Sequence, residues 1–140
     1  MAGTIQTFGY PGHSGEGGRE RAEGIRTFLM CENQNAISTV QVFEKGKGVN
    51  LHAHPTEDGY WLVLGGRATF YTEGEDGQKQ FVAELERNQG VLVPAGTKYA
   101  FENPDDEPLE FLRIDFQVAV EGQEPVYFAR ATWPRGSRPG

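Results

Sequence analysis

Along most of this chain apolar and polar residues alternate, and no stretch holds a 3.6-residue period for more than two turns. Arg26 to Glu32 and Ile37 to Glu44 are short and rich in Phe, Val, Ile and Thr, which predicts two strands. Lys45-Gly46-Lys47-Gly48 turns from the second into a strand carrying Asn50, His52 and His54. Tyr60 to Tyr71 predicts another strand region, broken by a tight turn or bulge at Gly65-Gly66. Asp76-Gly77 marks a hairpin, followed by strands at Gln80 to Leu85, Val91 to Val93 and Tyr99 to Asn103. Leu109 to Val120 is the longest strand candidate, and Tyr127 to Trp133 adds one more. Many short strands punctuated by Gly and Pro predict an all-β sandwich or barrel, with no propeller-like or solenoid repeat.

Composition sharpens this picture. With 140 residues the chain is expected to form one domain, and 19 Gly and 8 Pro fit a turn-rich fold. Residues 1–24 are Gly-rich and polar and read as a mobile or loosely docked arm; 25–133 read as the barrel and 134–140 as a polar tail. His13, in the arm, reads as a solvated loop histidine. A net charge of −7 argues against a nucleic-acid partner. No apolar run is long enough to cross a membrane, and residues 1–20 lack the pattern of a signal peptide, so the cytoplasm is the expected location. The single cysteine, Cys31, lies in the apolar run Phe28-Leu29-Met30-Cys31 and reads as a buried thiol.

The candidate chemistry centres on His52 and His54. Two positions apart on a strand, they share a face, so two imidazoles converge as a first-row metal site requires. The residues around them resemble the two motifs of the cupin superfamily. Gly46, His52, His54 and the Val63-Leu64-Gly65-Gly66 ending match the first motif. Pro94-Ala95-Gly96 and Asn103 match the second, with Asn88 replacing its leading glycine, a mild change because Asn tolerates the left-handed conformation. The resemblance implies a double-stranded β-helix, or jelly-roll, barrel. It also implies one divalent metal held by both histidines, a glutamate and a second-motif histidine. Here the departures begin. Counting back from Gly66 puts Gly59 at the glutamate position, counting from Gly65 puts Asp58 there, and the second-motif histidine is Tyr99.

Three arrangements remain open. His52, His54, Tyr99 and Asp58 or its neighbour Glu57 form an altered site for one divalent metal (Zn, Fe, Mn or Ni). Alternatively, the histidines alone hold a metal whose other positions stay open to water or substrate. In the third arrangement no metal binds, and the imidazoles act as acid, base or donor toward a ligand. If Glu57 or Asp58 faces the pocket, a carboxylate within reach of an imidazole favours its charged form and improves it as an acid.

Parity extends the candidate pocket. Asn50 shares the histidines' face, and an inward Gly59 would bring Trp61 with it, as an aromatic wall or as a core residue. A glycine in place of a glutamate would enlarge the cavity there. Tyr99 and Phe101 share a face. Arg113 and Asp115 share one with Phe111, opposite Leu112, Ile114 and Phe116. They are either a solvated face or an interior pair anchoring a polar substrate. The resulting expectation is an enzyme acting on a small organic substrate by isomerase, cyclase, lyase or oxygenase chemistry. His52, His54 and Tyr99 are its catalytic candidates, and Asn50, Trp61, Phe101, Arg113 and Asp115 its binding candidates. The alternative is a non-catalytic, sensor-like binding module. The arm and the edge strands of such a sheet suggest a homodimer.

Overall fold

The computed structural model describes residues 3–122 of the chain. The expected strand at Tyr127 to Trp133 and the tail at 134–140 lie outside the described residues. The described residues form ten strands: β1 (Arg19–Ala22), β2 (Ile25–Glu32), β3 (Ala36–Phe43), β4 (Gly48–His52), β5 (Glu57–Gly65), β6 (Ala68–Glu73), β7 (Lys79–Leu85), β8 (Gly90–Val93), β9 (Tyr99–Glu102) and β10 (Leu109–Gln117). They form a six-stranded sheet in the order β1-β2-β3-β10-β5-β8 and a four-stranded sheet in the order β4-β9-β6-β7. Every pairing is antiparallel, and the two inner faces make the double-stranded β-helix expected from the motifs.

Turn chemistry fixes where strands stop. Gly66 adopts φ +75° where the chain leaves β5, and an added Cβ there would collide with the Pro108 carbonyl. Asn88 is the one non-glycine among the described residues with positive φ, at 69°, so it takes up the conformation a leading glycine would supply. Asn103 is a buried turn lock. Its Nδ2 donates to the carbonyls of Phe43 and Glu107, and its Oδ1 accepts from Asp105 N–H.

The inner face of the large sheet is layered by its register. Thr27, Gln41, Phe111 and Val63 lie across one level, and Leu29, Thr39, Arg113, Trp61 and Val91 across the next. Ile37, Asp115, Gly59 and Val93 lie across a third. From the first of these levels downward the interior is aromatic: Phe43, Phe70, Phe101 and Phe111 pack with Leu109 and Val63. Phe101 stands nearly perpendicular to Phe43 and Phe111, with ring centres 4.9 and 5.0 Å apart, the edge-to-face geometry that aromatic quadrupoles favour.

The alternation in β10 resolves the choice left open above. Phe111, Arg113 and Asp115 face the interior, while Phe116 is exposed on the outer face and Leu112 and Ile114 are half-buried. Part of that outer face is covered: Phe28, Met30, Val40 and Val42 form a second small core against Tyr10, Leu64 and Leu112. Tyr10 reaches it from the N-terminal arm, packs edge-on against Phe28 and donates its hydroxyl to Glu110. Arg26 ties the arm down through the carbonyls of His13 and Gly15. The arm also contributes β1, a polar strand that carries little apolar signal in sequence. No helix among the described residues is long and apolar enough to cross a membrane.

Candidate functional site

Three elements converge at the polar end of the barrel. The β4 strand ends at His52, which pairs with Tyr99 on β9, and the loop after it carries His54. That loop is held from both sides: Gly96 N–H donates to the His54 carbonyl, and Ala95 N–H donates to Asp58 Oδ1 at 2.8 Å. The imidazoles meet edge to face, 5.1 Å between ring centres, and Tyr99 lies 4.5 Å from His52 and 6.0 Å from His54.

The two histidines have different partners. His52 Nδ1 lies 2.6 Å from the Asn50 carbonyl, which can only accept, so Nδ1 carries the proton and Nε2 the lone pair. Desolvation holds the His52 pKa below its ordinary value, with the like charges of Arg113 and Arg21 adding to this. His54 is held at both nitrogens. Its Nδ1 lies 3.1 Å from Glu57 Oε2, while its Nε2 lies 3.0 Å from Arg113 Nη2 and 3.3 Å from the Tyr99 hydroxyl. A guanidinium has no acceptor, so Nε2 must accept and Nδ1–H must donate to Glu57. Glu57 is fixed in turn by Gln117, whose Nε2 donates to Oε1. The His54 hydrogen bond pulls the Glu57 pKa below its usual range, against the effect of burial.

Arg113 and Asp115 are both 5% exposed and paired, with Nε donating to Oδ1 at 2.7 Å. Burial nonetheless pushes the Asp115 carboxyl up, outweighing the pull of Arg113. The Arg113 guanidinium also sits over the Trp61 ring, 4.9 Å from its centre. Tyr99 is 3% exposed, and burial pushes its phenol up to about 12.

The structure gathers some of the residues singled out from the sequence and separates others. His52, His54, Tyr99, Arg113 and Asp115 meet, and Trp61 borders them. Asp58 does not join them: its carboxylate caps the Pro94-Ala95-Gly96 turn, and Glu57 takes the place beside His54. Asn50 contributes its carbonyl to His52, while its side chain is exposed. Phe101 is 1% exposed within the aromatic core and lines no cavity at the site, so it is a packing residue and not a binding residue. Gln117 and Arg21 were missed. Arg21, at the bulge of β1, is exposed, yet it influences both His52 and Tyr99. Its own pKa is lowered by desolvation and then by Arg113. No apolar pattern marks a lone arginine in a polar arm, so nothing in the sequence pointed to it.

The enlargement expected at Gly59 is absent. Trp61 fills most of that space, and the cavity bounded by His54, Glu57, Gly59, Trp61, Val93, Pro94, Tyr99 and Arg113 is only about 10 Å³, the size of one water. Trp61 Nε1, on the wall of this cavity, lacks a hydrogen-bond partner, as do Thr27 Oγ1, Thr39 Oγ1 and both amide atoms of Gln41 elsewhere among the buried described residues. Each such group costs about 1–3 kcal/mol when left unsatisfied.

The donor set decides the fit of a divalent metal. The proton on His52 Nδ1 leaves a lone pair of the kind a metal needs. Against that, a fixed cation already sits 3.0 Å from His54 Nε2, Gly59 stands where the resemblance places a carboxylate, and Tyr99 is a phenol whose pKa is raised. Among the described residues no three His, Cys, Asp or Glu side chains group so as to hold a metal. The residues present do not fit the metal that the two motifs imply.

The class defined by this topology is the small double-stranded β-helix with its polar site at one barrel end. A cupin-domain model matches residues 39–115, more than half of the chain, and the chain belongs to the cupin family. Among solved structures it is similar to KdgF from a Halomonas species, with a TM-score of 0.65, 17% identity and coverage of 81% of this chain and 96% of that one. It is also similar to a predicted oxalate decarboxylase from Thermotoga maritima, with a TM-score of 0.57, 18% identity and coverage of 67% and 81%. At such identities the likeness concerns the fold. Among curated proteins, a putative mannose-1-phosphate guanylyltransferase of Vibrio cholerae is 34% identical over 85 residues, 61% of this chain and 17% of that protein. A mannose-1-phosphate guanylyltransferase of Escherichia coli K12 is 27% identical over 85 residues. The chain spans about a sixth of the length of these relatives.

Proposed function

We propose that the polar end of the barrel binds a small organic molecule and transfers protons on it, in the manner of an isomerase or lyase, without a metal. The observation that carries this reading is the suspension of His54 between Glu57 and Arg113. Glu57 holds the Nδ1–H tautomer, so Nε2 faces the site as the base. Arg113 occupies that lone pair in the free protein. A ligand carbonyl that draws the guanidinium to itself would release Nε2 for a C–H proton and place a fixed cation beside the oxyanion that forms. Tyr99, a neutral phenol at ordinary pH, supplies a second donor at the same point. His52, kept neutral by desolvation, supplies an uncharged wall and a second acceptor.

The test is hydrogen exchange in D2O. The protein is incubated with a panel of small α-hydroxy carbonyl compounds, and loss of the C–H signal is followed by NMR. Exchange that requires the protein and disappears in His54→Gln is the expected result. The closely filled interior, with its 10 Å³ cavity, favours a second reading, a non-catalytic binding module. Binding without any exchange across the panel would select it.

A further inference from the structure

The small cavity beside Gly59 has a chemistry of its own. Trp61 is 3% exposed, and its Nε1–H has no partner. A Cβ built on Gly59 would lie 3.3 Å from Trp61 Nε1 and 3.6 Å from Asp115 Oδ1. The missing side chain therefore leaves a gap with an orphan donor on one side and a carboxylate oxygen on the other. Glu57 is the carboxylate that lines the cavity itself, together with His54, Tyr99 and Arg113, while Asp115 lies outside that lining, beside Gly59.

We infer that this niche receives one hydroxyl of a small hydroxylated ligand, accepting from Trp61 Nε1–H and donating to a carboxylate of Asp115 or Glu57. The inference rests on the reading of the barrel end as a ligand site and names the class of compound it takes. Size and polarity both select the group. A volume of about 10 Å³ admits one oxygen atom, as water in the free protein and as a ligand hydroxyl in the complex. A carboxylate oxygen would satisfy Trp61 but would stand against Asp115 and Glu57, and an apolar group would leave the indole unpartnered. Beyond the cavity lining, the large sheet continues this character. Thr39, opposite Arg113 in the β3–β10 register, and Thr27 and Gln41 at the next level all present unpartnered groups able both to donate and to accept.

The probe is erythritol, a four-carbon compound carrying only hydroxyls, set against acetate and acetamide. The reporter is the indole 1H–15N resonance of Trp61 in Trp133→Phe protein, Trp133 being the other tryptophan of the chain. Erythritol is expected to move this resonance along a saturable curve, while acetate at equal concentration leaves it in place. Gly59→Ala, whose methyl fills the gap at ordinary backbone angles, is expected to abolish the shift and weaken erythritol binding at least tenfold in saturation-transfer measurements, with the melting temperature kept within a few degrees. An unchanged erythritol shift in Gly59→Ala overturns the inference, as does an acetate shift exceeding that of erythritol. A response confined to the ring resonances of His54 overturns the niche but leaves the ligand site of the preceding section standing. Silence at both residues, for every probe, overturns the niche and counts against the site as well.

Discussion

The two halves of the barrel interior are built by the same strands and obey different rules. In the aromatic half, Phe43, Phe101, Phe111, Leu109 and Val63 are each at most 1% exposed, and Phe101 meets Phe43 and Phe111 edge to face. Two residues further along those strands lie Tyr99, Arg113 and Trp61, with Gln41 at the boundary, opposite Phe111 in the register. There the interior turns polar, and buried groups lack partners. Burial is as deep on both sides of the line. What differs is satisfaction: the rings of the first half have no polar group to pair, whereas Trp61 Nε1 and Thr39 Oγ1 in the second have no protein partner. Apolar packing fills one half and the candidate site the other, and strands of both sheets run through the two.

Removing Phe111 should break the comparison most strongly. Phe111→Ala empties the centre of the aromatic half and should lower unfolding stability by about 4 kcal/mol in denaturant titrations. Arg113→Met strikes the polar half by leaving Asp115 buried without its guanidinium, at a cost of about 3 kcal/mol. The double variant Arg113→Met/Asp115→Leu should recover most of that loss, because it removes the orphaned charge, while abolishing ligand binding. Gln41→Leu should go the other way, raising stability by about 1 kcal/mol, since it replaces an unsatisfied amide by an apolar group of similar size.

The smallest effect is one of pH. The folded-state pKa of His52 lies below its ordinary value, 6.5, chiefly through desolvation. As pH falls below that value the unfolded chain takes up the proton first. The stability His52 contributes as a neutral ring is therefore present above pH 6.5 and is lost as pH falls toward its folded pKa. Asp115, whose pKa is raised, contributes a slope of the opposite sign, so the comparison must be with His52→Gln. That variant should lose the decline below 6.5 and keep the remainder of the profile.

Much of this was legible in the sequence, for identifiable reasons. Alternation and turn residues placed most of the strands. The motif spacing located His52, His54 and Tyr99 and placed Gly59 where a carboxylate was implied. Parity alone could not orient β10, because Phe111 on one face and Leu112, Ile114 and Phe116 on the other are all apolar; only the packing against Phe101 chooses. Nor could spacing decide between Glu57 and Asp58. Adjacent residues point to opposite sides, and the hydrogen bond from Ala95, distant in sequence, draws Asp58 to the turn. Gln117 reaches the site through its pairing with Glu57 and Arg21 acts on it through its charge, which a polar residue in a strand or arm does not announce. The size of Trp61 was visible, but not that its indole would occupy the space left by the absent side chain at 59.

The central claim is that the Arg113 guanidinium stands at His54 Nε2 where the family motifs imply a metal. Long-range 1H–15N spectra of the histidine rings, recorded with and without one equivalent of Zn(II) at neutral pH, test it most directly. The account predicts that both rings are protonated at Nδ1, that His54 Nε2 carries the shift of a hydrogen-bond acceptor, and that neither ring responds to the metal. Stoichiometric zinc binding that moves both Nε2 resonances together, and is lost in His52→Ala/His54→Ala, would contradict it.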